Sequence, residues 1–200
     1  MWKTKFYKII NDIDTYVVED ENNFHKHIES IYQDILSLQL ILVDIDKSNT
    51  KFNYSHLITF ALTAYCDERL NILAVTSGYS HEMLQTRLFK TLEAGSLYYE
   101  YLEYILSRGT EPNVDVCWVY YYLLMHGYEG MYSSSKYFER SLYLRQLKIL
   151  IKDQMGQGSL KVKSFNFRKL YKNFFYKVKR RLGLIPIMCL LSSFIIINYM

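Results

Sequence analysis

Proline is nearly absent from this 200-residue chain, with two residues, and glycine is sparse at eight. A β-fold with many tight turns needs both, so their scarcity excludes that class and points to long, uninterrupted helices. Cysteine is limited to Cys66, Cys117 and Cys189, which are far apart and odd in number. No secretory signal opens the chain. A disulfide framework and a zinc site are therefore both poor readings, and the thiols read as small buried hydrophobes of a protein in a reducing cytoplasm. Catalytic signatures are missing as well: there is no phosphate-cradling glycine loop, no G-x-S-x-G and no H-E-x-x-H. His25 and His27 sit two positions apart, which sets their imidazoles about 200° apart on a helix, a poor geometry for one metal. His56, His81 and His126 are scattered. The expectation is a protein that is no enzyme and needs neither metal nor cofactor.

Acidic residues vanish after Asp153. Of the 24 Lys and Arg, nine fall between Lys161 and Arg181; the other 15 share the first 160 residues with all 20 acids, a net −5. The overall charge of +4 thus conceals a mildly acidic body and a basic neck. Within the neck, Phe167, Leu170, Tyr171, Phe174 and Val178 recur at helical spacing among Arg168, Lys169, Lys172, Lys177 and Lys179. Such an amphipathic segment suits anionic lipid heads, each base near the surface contributing about 1 kcal/mol. Interleaved bases and aromatics also suit nucleic acid, which is the alternative reading.

Charge of either sign is missing from Leu182 to Tyr199, a run of 18 residues. As a helix it would extend about 27 Å, close to the ~30 Å of a bilayer's hydrocarbon core. A buried core helix is the alternative, but such a helix in a soluble domain rarely lacks a polar face for so long. Lys177, Lys179, Arg180 and Arg181 lie immediately upstream, and positive residues stay on the cytoplasmic side of a span. With Met200 as the last residue, the reading is a single-pass tail anchor with the N-terminal body in the cytoplasm. Beside a span, lipid is the simpler partner for the neck, and nucleic acid is not expected.

The body divides into helical stretches at about 2–17, 24–43, 54–73, 81–93, 96–107, 114–126 and 134–153. Asn53 and Asn113 stand where N-caps are needed, and Gly78, Gly95, Gly109 and Gly127 punctuate the rest. Gly156-Gln157-Gly158-Ser159 links body to neck, which gives three parts: 1–158, 159–181 and 182–200. Tyrosine makes up a tenth of the chain, 20 residues, and suits bundle margins and protein interfaces, where its ring is buried and its hydroxyl stays wet.

Asp67-Glu68 interrupts the apolar stretch that starts at Phe60. Adjacent carboxylates on a helix diverge by about 100°, so they do not form an acid/base pair across one bond. In apolar surroundings they must be hydrogen-bonded, paired with a base or facing a cleft. Helix polarity with Arg69 as counter-ion is one reading, and a functional acidic pair the other.

Three stretches taken in order carry a resemblance. FALTAYCDERLN (60–71) resembles an A-L-x-A-x-x-D-E element, LFKTLEAGSLYYEYLEYIL (88–106) an L-F-x-x-x-x-x-G-x-x-F-F-x-x-L element, and VYYYLLMHGYEGMY (119–132) a Y-x-x-L-x-x-G-F-E-G-x-Y element. These belong to the DotU/TssL family, also called IcmH, inner-membrane proteins of bacterial type VI secretion systems with relatives in type IVB systems. The chain departs from the family pattern in lacking a Trp-Gly element after the acidic pair, a glycine near Ser96 and a peptidoglycan-binding extension. The resemblance implies an all-α, hook-like cytoplasmic domain of two small helical bundles plus one C-terminal transmembrane helix. It implies a non-enzymatic scaffold that forms a homodimer, stabilises a TssM/IcmF-like membrane partner and docks baseplate components. By the same carry-over Asp67 and Glu68 become a partner-binding site in a cleft. Gly127, Tyr128, Glu129 and Gly130 form a structural loop, with the glycines serving the backbone and Glu129 fixing the loop by hydrogen bonds.

Overall fold

Apolar spacing becomes seven helices in the computed structural model, which describes residues 2–46, 53–109, 113–132 and 137–156. They are α1 (Trp2–Asp14), α2 (Glu21–Asp46), α3 (Tyr54–Ser77), α4 (Leu84–Phe89), α5 (Ala94–Ser107), α6 (Val114–Met125) and α7 (Tyr137–Gln154). No strand occurs among the described residues, so the domain is all-α. Helix α1 buries Trp2, Phe6, Ile9, Ile10 and Ile13, a single stripe at the i, i+3, i+4 recurrence. Helix α2 does the same with Phe24, Ile28, Ile31, Ile35, Leu38 and Leu42.

Helix α3 is different because it has no solvent face along its middle. Every residue from Leu57 to Asp67 is buried, and α1, α2, α4, α5 and α6 all pack against it. A helix that is apolar all round belongs in the centre of a bundle. Its two buried threonines stay satisfied locally, Thr63 donating to the Thr59 carbonyl at 2.8 Å and Thr59 to that of Ser55. Helix α7 packs against α6 and α5.

Helix starts are set by side-chain acceptors for the orphan N–H groups of the first turn. Asp20 accepts from the Asn23 N–H at 2.8 Å, which begins α2 three residues before the apolar stripe does. Asn53 accepts from His56 N–H at 3.0 Å, while Asp46, at the end of α2, takes the Tyr54 and Ser55 N–H groups of α3 at 3.0 and 2.8 Å. Asn113 accepts from Asp115 N–H at 2.9 Å. Two stretches are shorter than their spacing predicts. Helix α1 stops at Asp14, where the Thr15 hydroxyl turns back to the Asn11 carbonyl at 2.7 Å. The stretch 81–93 yields only the six residues of α4, closed by Lys90 in the left-handed region at φ 55°.

Tyrosine occupies the core as well as the margins. Tyr65, Tyr98, Tyr99, Tyr120, Tyr128 and Tyr143 are among the largest fully buried side chains. Five of these hydroxyls donate inside the protein: Tyr98 to the Tyr120 carbonyl at 3.0 Å, Tyr143 to Glu103 at 2.8 Å, Tyr65 to Asp14 at 2.6 Å, and Tyr99 and Tyr120 to the carbonyls of Glu129 and Leu57. The buried Cys66 and Cys117 are free thiols, and burial pushes Cys117 up to about 12, far from reactivity.

The neck with Lys177, Lys179, Arg180 and Arg181, the run Leu182–Tyr199 and Cys189 lie outside the described residues. Among the described residues no helix is long and apolar enough to cross a membrane.

Replacing Tyr98 by Phe removes a buried donor and should lower the unfolding free energy by about 1 kcal/mol. Tyr7→Phe, at a ring 44 % exposed, should leave it unchanged. Urea unfolding of the two variants measures the difference.

Candidate functional site

Helix α4 has a problem that its own sequence does not solve. It is six residues long, its start is buried, and Met83 at the N-cap makes no side-chain capping bond. The acceptor comes from α3: Asp67 takes the Leu84 N–H on Oδ1 at 2.7 Å and the Gln85 N–H on Oδ2 at 2.8 Å. Gln85 passes the device on, its Oε1 accepting from the Ala94 N–H at 2.7 Å at the start of α5. One carboxylate and one amide thus cap two successive helices.

Glu68 turns the other way, as adjacent helical positions must. Its carboxylate accepts from the Glu129 N–H at 3.1 Å and from the Gly130 N–H at 2.7 Å, in the loop after α6. That loop begins with a Schellman closure. Gly127, at φ 90°, donates to the Leu124 carbonyl at 3.2 Å, and Tyr128 donates to that of Leu123 at 3.0 Å. Tyr128 is buried with its ring centroid 4.4 Å from that of Tyr98. Gly130, at φ 54°, cannot carry a side chain without crowding, since a Cβ there would lie 3.0 Å from the Tyr128 hydroxyl and 3.1 Å from the Gly95 carbonyl oxygen.

The loop is held against α5 by two further bonds. Met131 donates to the Gly95 carbonyl at 3.3 Å, and the Tyr99 hydroxyl donates to the Glu129 carbonyl at 2.9 Å. The backbone of Glu129 is therefore what anchors the loop; its carboxylate instead stands 3.6 Å from Arg140. Asp67-Glu68, Gly95 with Tyr98-Tyr99, and Gly127–Gly130 come from the three sequence elements singled out above, and the fold brings all three to one place.

Arg69 is not the ion-pair partner of the acidic pair. It lies 3.4 Å from Asp14, donates to the Tyr65 hydroxyl at 3.2 Å and to the His126 carbonyl at 2.7 Å. It ties α3 to α1 and to the end of α6. Among the described residues, the hydrogen-bond partners of the Asp67 and Glu68 carboxylates are backbone N–H groups. Burial pushes Asp67 up to about 6, against the two N–H groups that favour its charged form. Burial raises Glu68 too, opposed first by Gly130 and Glu129 and then by the charge of Arg69.

Between the two anchored segments lies a cleft of about 480 Å³ whose lining includes both carboxylates. Asn71, Ile72 and Val75 of α3 form one wall, and Gly95, Tyr128 and Gly130 contribute to the other. Ile72 and Val75 are 51 % and 82 % exposed, large aliphatic side chains left in water. Sequence reasoning missed these two, together with Gln85 and the role of Arg69; in an all-apolar helix nothing marks which residues reach solvent. Among the described residues no group of three His, Cys, Asp or Glu could hold a metal ion. The two carboxylates serve different elements, so they do not converge on a shared substrate atom.

An all-helical domain in which these three elements meet at an acidic pair matches a family of secretion-system components. The sequence profile of the family described as Type VI secretion system protein DotU matches residues 16–199, and the chain belongs to that family. Among solved structures, DotU from Francisella novicida is similar with a TM-score of 0.67 and 21 % identity, over 75 % of this chain and 97 % of that one. That likeness is one of fold. No curated protein matches the chain.

Asp67→Ala strands two buried N–H groups and should cost about 2–4 kcal/mol. Asp67→Asn, which keeps one acceptor, should cost roughly half as much. The pH dependence has a definite sign. Asp67 ionises near 3.8 when unfolded and near 6 when folded, so the folded state binds the proton more tightly in between. Its contribution is full below pH 3.8 and declines as pH rises through 6. Urea unfolding from pH 4 to 7 should show the wild type losing roughly 2–3 kcal/mol relative to Asp67→Asn across that window.

Proposed function

We propose that the chain is a non-enzymatic, tail-anchored scaffold of the type VI secretion membrane complex. Leu182–Tyr199 spans the bacterial inner membrane once, Lys177, Lys179, Arg180 and Arg181 rest on its cytoplasmic face, and the N-terminal domain stays in the cytoplasm as a hook of two small bundles. That domain stabilises a TssM/IcmF-like membrane protein and docks baseplate components, and the span assists homodimer formation. The support is family membership over residues 16–199, the uncharged terminal run behind a basic neck, and the composition of the cleft.

The observation that carries the docking role is the cleft beside Asp67 and Glu68, with Ile72 and Val75 bare along its rim. Both carboxylates already hold the backbone, so their part in partner binding is to fix the distance between the two walls, while the exposed aliphatic side chains make contact. Burial of two such side chains in an interface stabilises it by about 3–6 kcal/mol before the costs of association. The alternative, a membrane-tethered lipid or nucleic-acid binder, rests on the nine bases of 161–181 alone.

Two measurements on the intact protein test this reading. It should sediment with membranes and be released by detergent but not by salt. Detergent-solubilised wild type should co-purify with the TssM/IcmF-like protein and baseplate components, and the Asp67→Ala/Glu68→Ala double variant should lose at least tenfold of that capture. Replacing Lys179, Arg180 and Arg181 by Gln should leave capture intact. Loss of capture in the Gln variant with none in the double alanine variant favours the alternative.

A further inference from the structure

Helix α7 turns Tyr143, Leu147 and Leu150 into the bundle and leaves its opposite face in water. Arg145, Lys148 and Lys152 on that face are all exposed. At about 100° per residue they fall within an arc of about 60°, and both acids of the helix, Glu139 and Asp153, lie outside it. Along one edge of the arc run Phe138, which is 71 % exposed, and the partly exposed Leu142 and Ile149.

These bases differ from those of α1 and α4, which face acids. Lys3 stands 2.7 Å from Asp115, Lys5 and Lys8 stand 3.3 and 2.9 Å from Asp34, and Arg87 stands 2.9 Å from Glu29. Arg145, Lys148 and Lys152 have no ion-pair partner among the described residues. Lys148 follows Arg145 by three residues and Lys152 follows Lys148 by four, the spacings at which like charges destabilise a helix. In a body whose first 160 residues carry a net −5, this face concentrates positive charge that only an external anion offsets.

We propose that the outer face of α7 is a second membrane contact of the body: Arg145, Lys148 and Lys152 take the phosphates of anionic phospholipids, and Phe138 enters the interface beside them. The inference rests on the reading of Leu182–Tyr199 as the anchor and adds the face that the body turns to the bilayer. Bases beside an aromatic and aliphatic edge are the composition of a helix face that lies at a headgroup boundary. Connectivity supplies the proximity. Only residues 155–181 separate α7 from the uncharged run, so with that run in the bilayer α7 stays within about 95 Å of it. Each base near an anionic surface strengthens the contact about fivefold. Neutral headgroups supply no net charge, so the contact depends on anionic lipid and weakens as salt shortens the screening length.

The test uses full-length protein in vesicles of phosphatidylcholine, with or without a third of phosphatidylglycerol, washed in alkaline carbonate and treated with a membrane-impermeant amine reagent. Lys148 and Lys152 should react at least threefold more slowly in anionic vesicles than in neutral ones, and high salt should close the gap. Lys26, exposed on α2, should react alike in both. A photo-reactive phenylalanine at position 138 should cross-link to phospholipid in anionic vesicles, and one at position 40, where Leu40 is 70 % exposed on α2, should not. Arg145→Gln/Lys148→Gln/Lys152→Gln should melt with the wild type and form at least threefold less of the cross-link from position 138.

Equal reactivity of Lys148 and Lys152 in the two kinds of vesicle overturns the contact while the anchor stands. Undiminished cross-linking in the Gln variant overturns the role of the bases. Protein that carbonate washes out of both kinds of vesicle removes the anchor, and this inference with it.

Discussion

Two neighbouring carboxylates in the middle of a bundle hold this domain's outer segments in place. Asp67 and Glu68 point about 100° apart, as consecutive helical residues must, and each takes backbone N–H groups from a segment that has no acceptor of its own. A buried N–H without a partner costs about 1–3 kcal/mol, so four such groups are a substantial fraction of the stability of a small domain. The same carboxylates are expensive to bury, which is why burial raises both of them. They persist in the core because the N–H groups of α4 and of the loop after α6 offset that cost, and removing either side strands the other.

From this constraint the rest follows outward. Asp67 permits a six-residue helix to start in the core, and Gln85 of that helix caps α5 in turn. Glu68 places the loop after α6 against Gly95, where the backbones approach closely: a Cβ on Gly95 would lie 3.3 Å from the Met131 nitrogen and one on Gly130 3.1 Å from the Gly95 carbonyl oxygen. Arg69, the third consecutive residue, ties α3 to α1 through Asp14 and Tyr65 and to α6 through the His126 carbonyl. Buried tyrosines complete the frame by donating to backbone carbonyls, Tyr99 to Glu129 and Tyr98 to Tyr120. The cleft is the space left between segments pinned from one helix, so its width is set by covalent spacing along α3. The resulting surface is a frame with exposed aliphatics on its rim.

Much of this was legible in the sequence where a local signal existed. The apolar recurrence in α1 and α2, and the caps Asn53 and Asn113, translate directly into the helices that form. Asp67-Glu68 stood out because charge inside an apolar run demands a partner, and the glycines at 127 and 130 stood out as turn formers. What could not be read was which partner each group finds. Arg69, adjacent in sequence, was the obvious counter-ion, yet the fold gives it to Asp14, 55 positions away. The stretch 81–93 carries helix-forming residues throughout, but Lys90 adopts a left-handed conformation and the helix ends at Phe89. The exposure of Ile72 and Val75 depends on where α4 and the loop after α6 stop covering α3, a tertiary fact with no local trace.

The central claim concerns four N–H groups and two carboxylates, and native-state amide hydrogen exchange reads them one by one. In the wild type the N–H groups of Leu84, Gln85, Glu129 and Gly130 should exchange slowly, well below the rate of exposed loop amides. Glu68→Ala should release Glu129 and Gly130 while Leu84 and Gln85 stay protected, and Asp67→Ala should do the converse. If all four amides kept their protection in both variants, the carboxylates would not be what holds these segments, and the account of the cleft built on them would be wrong.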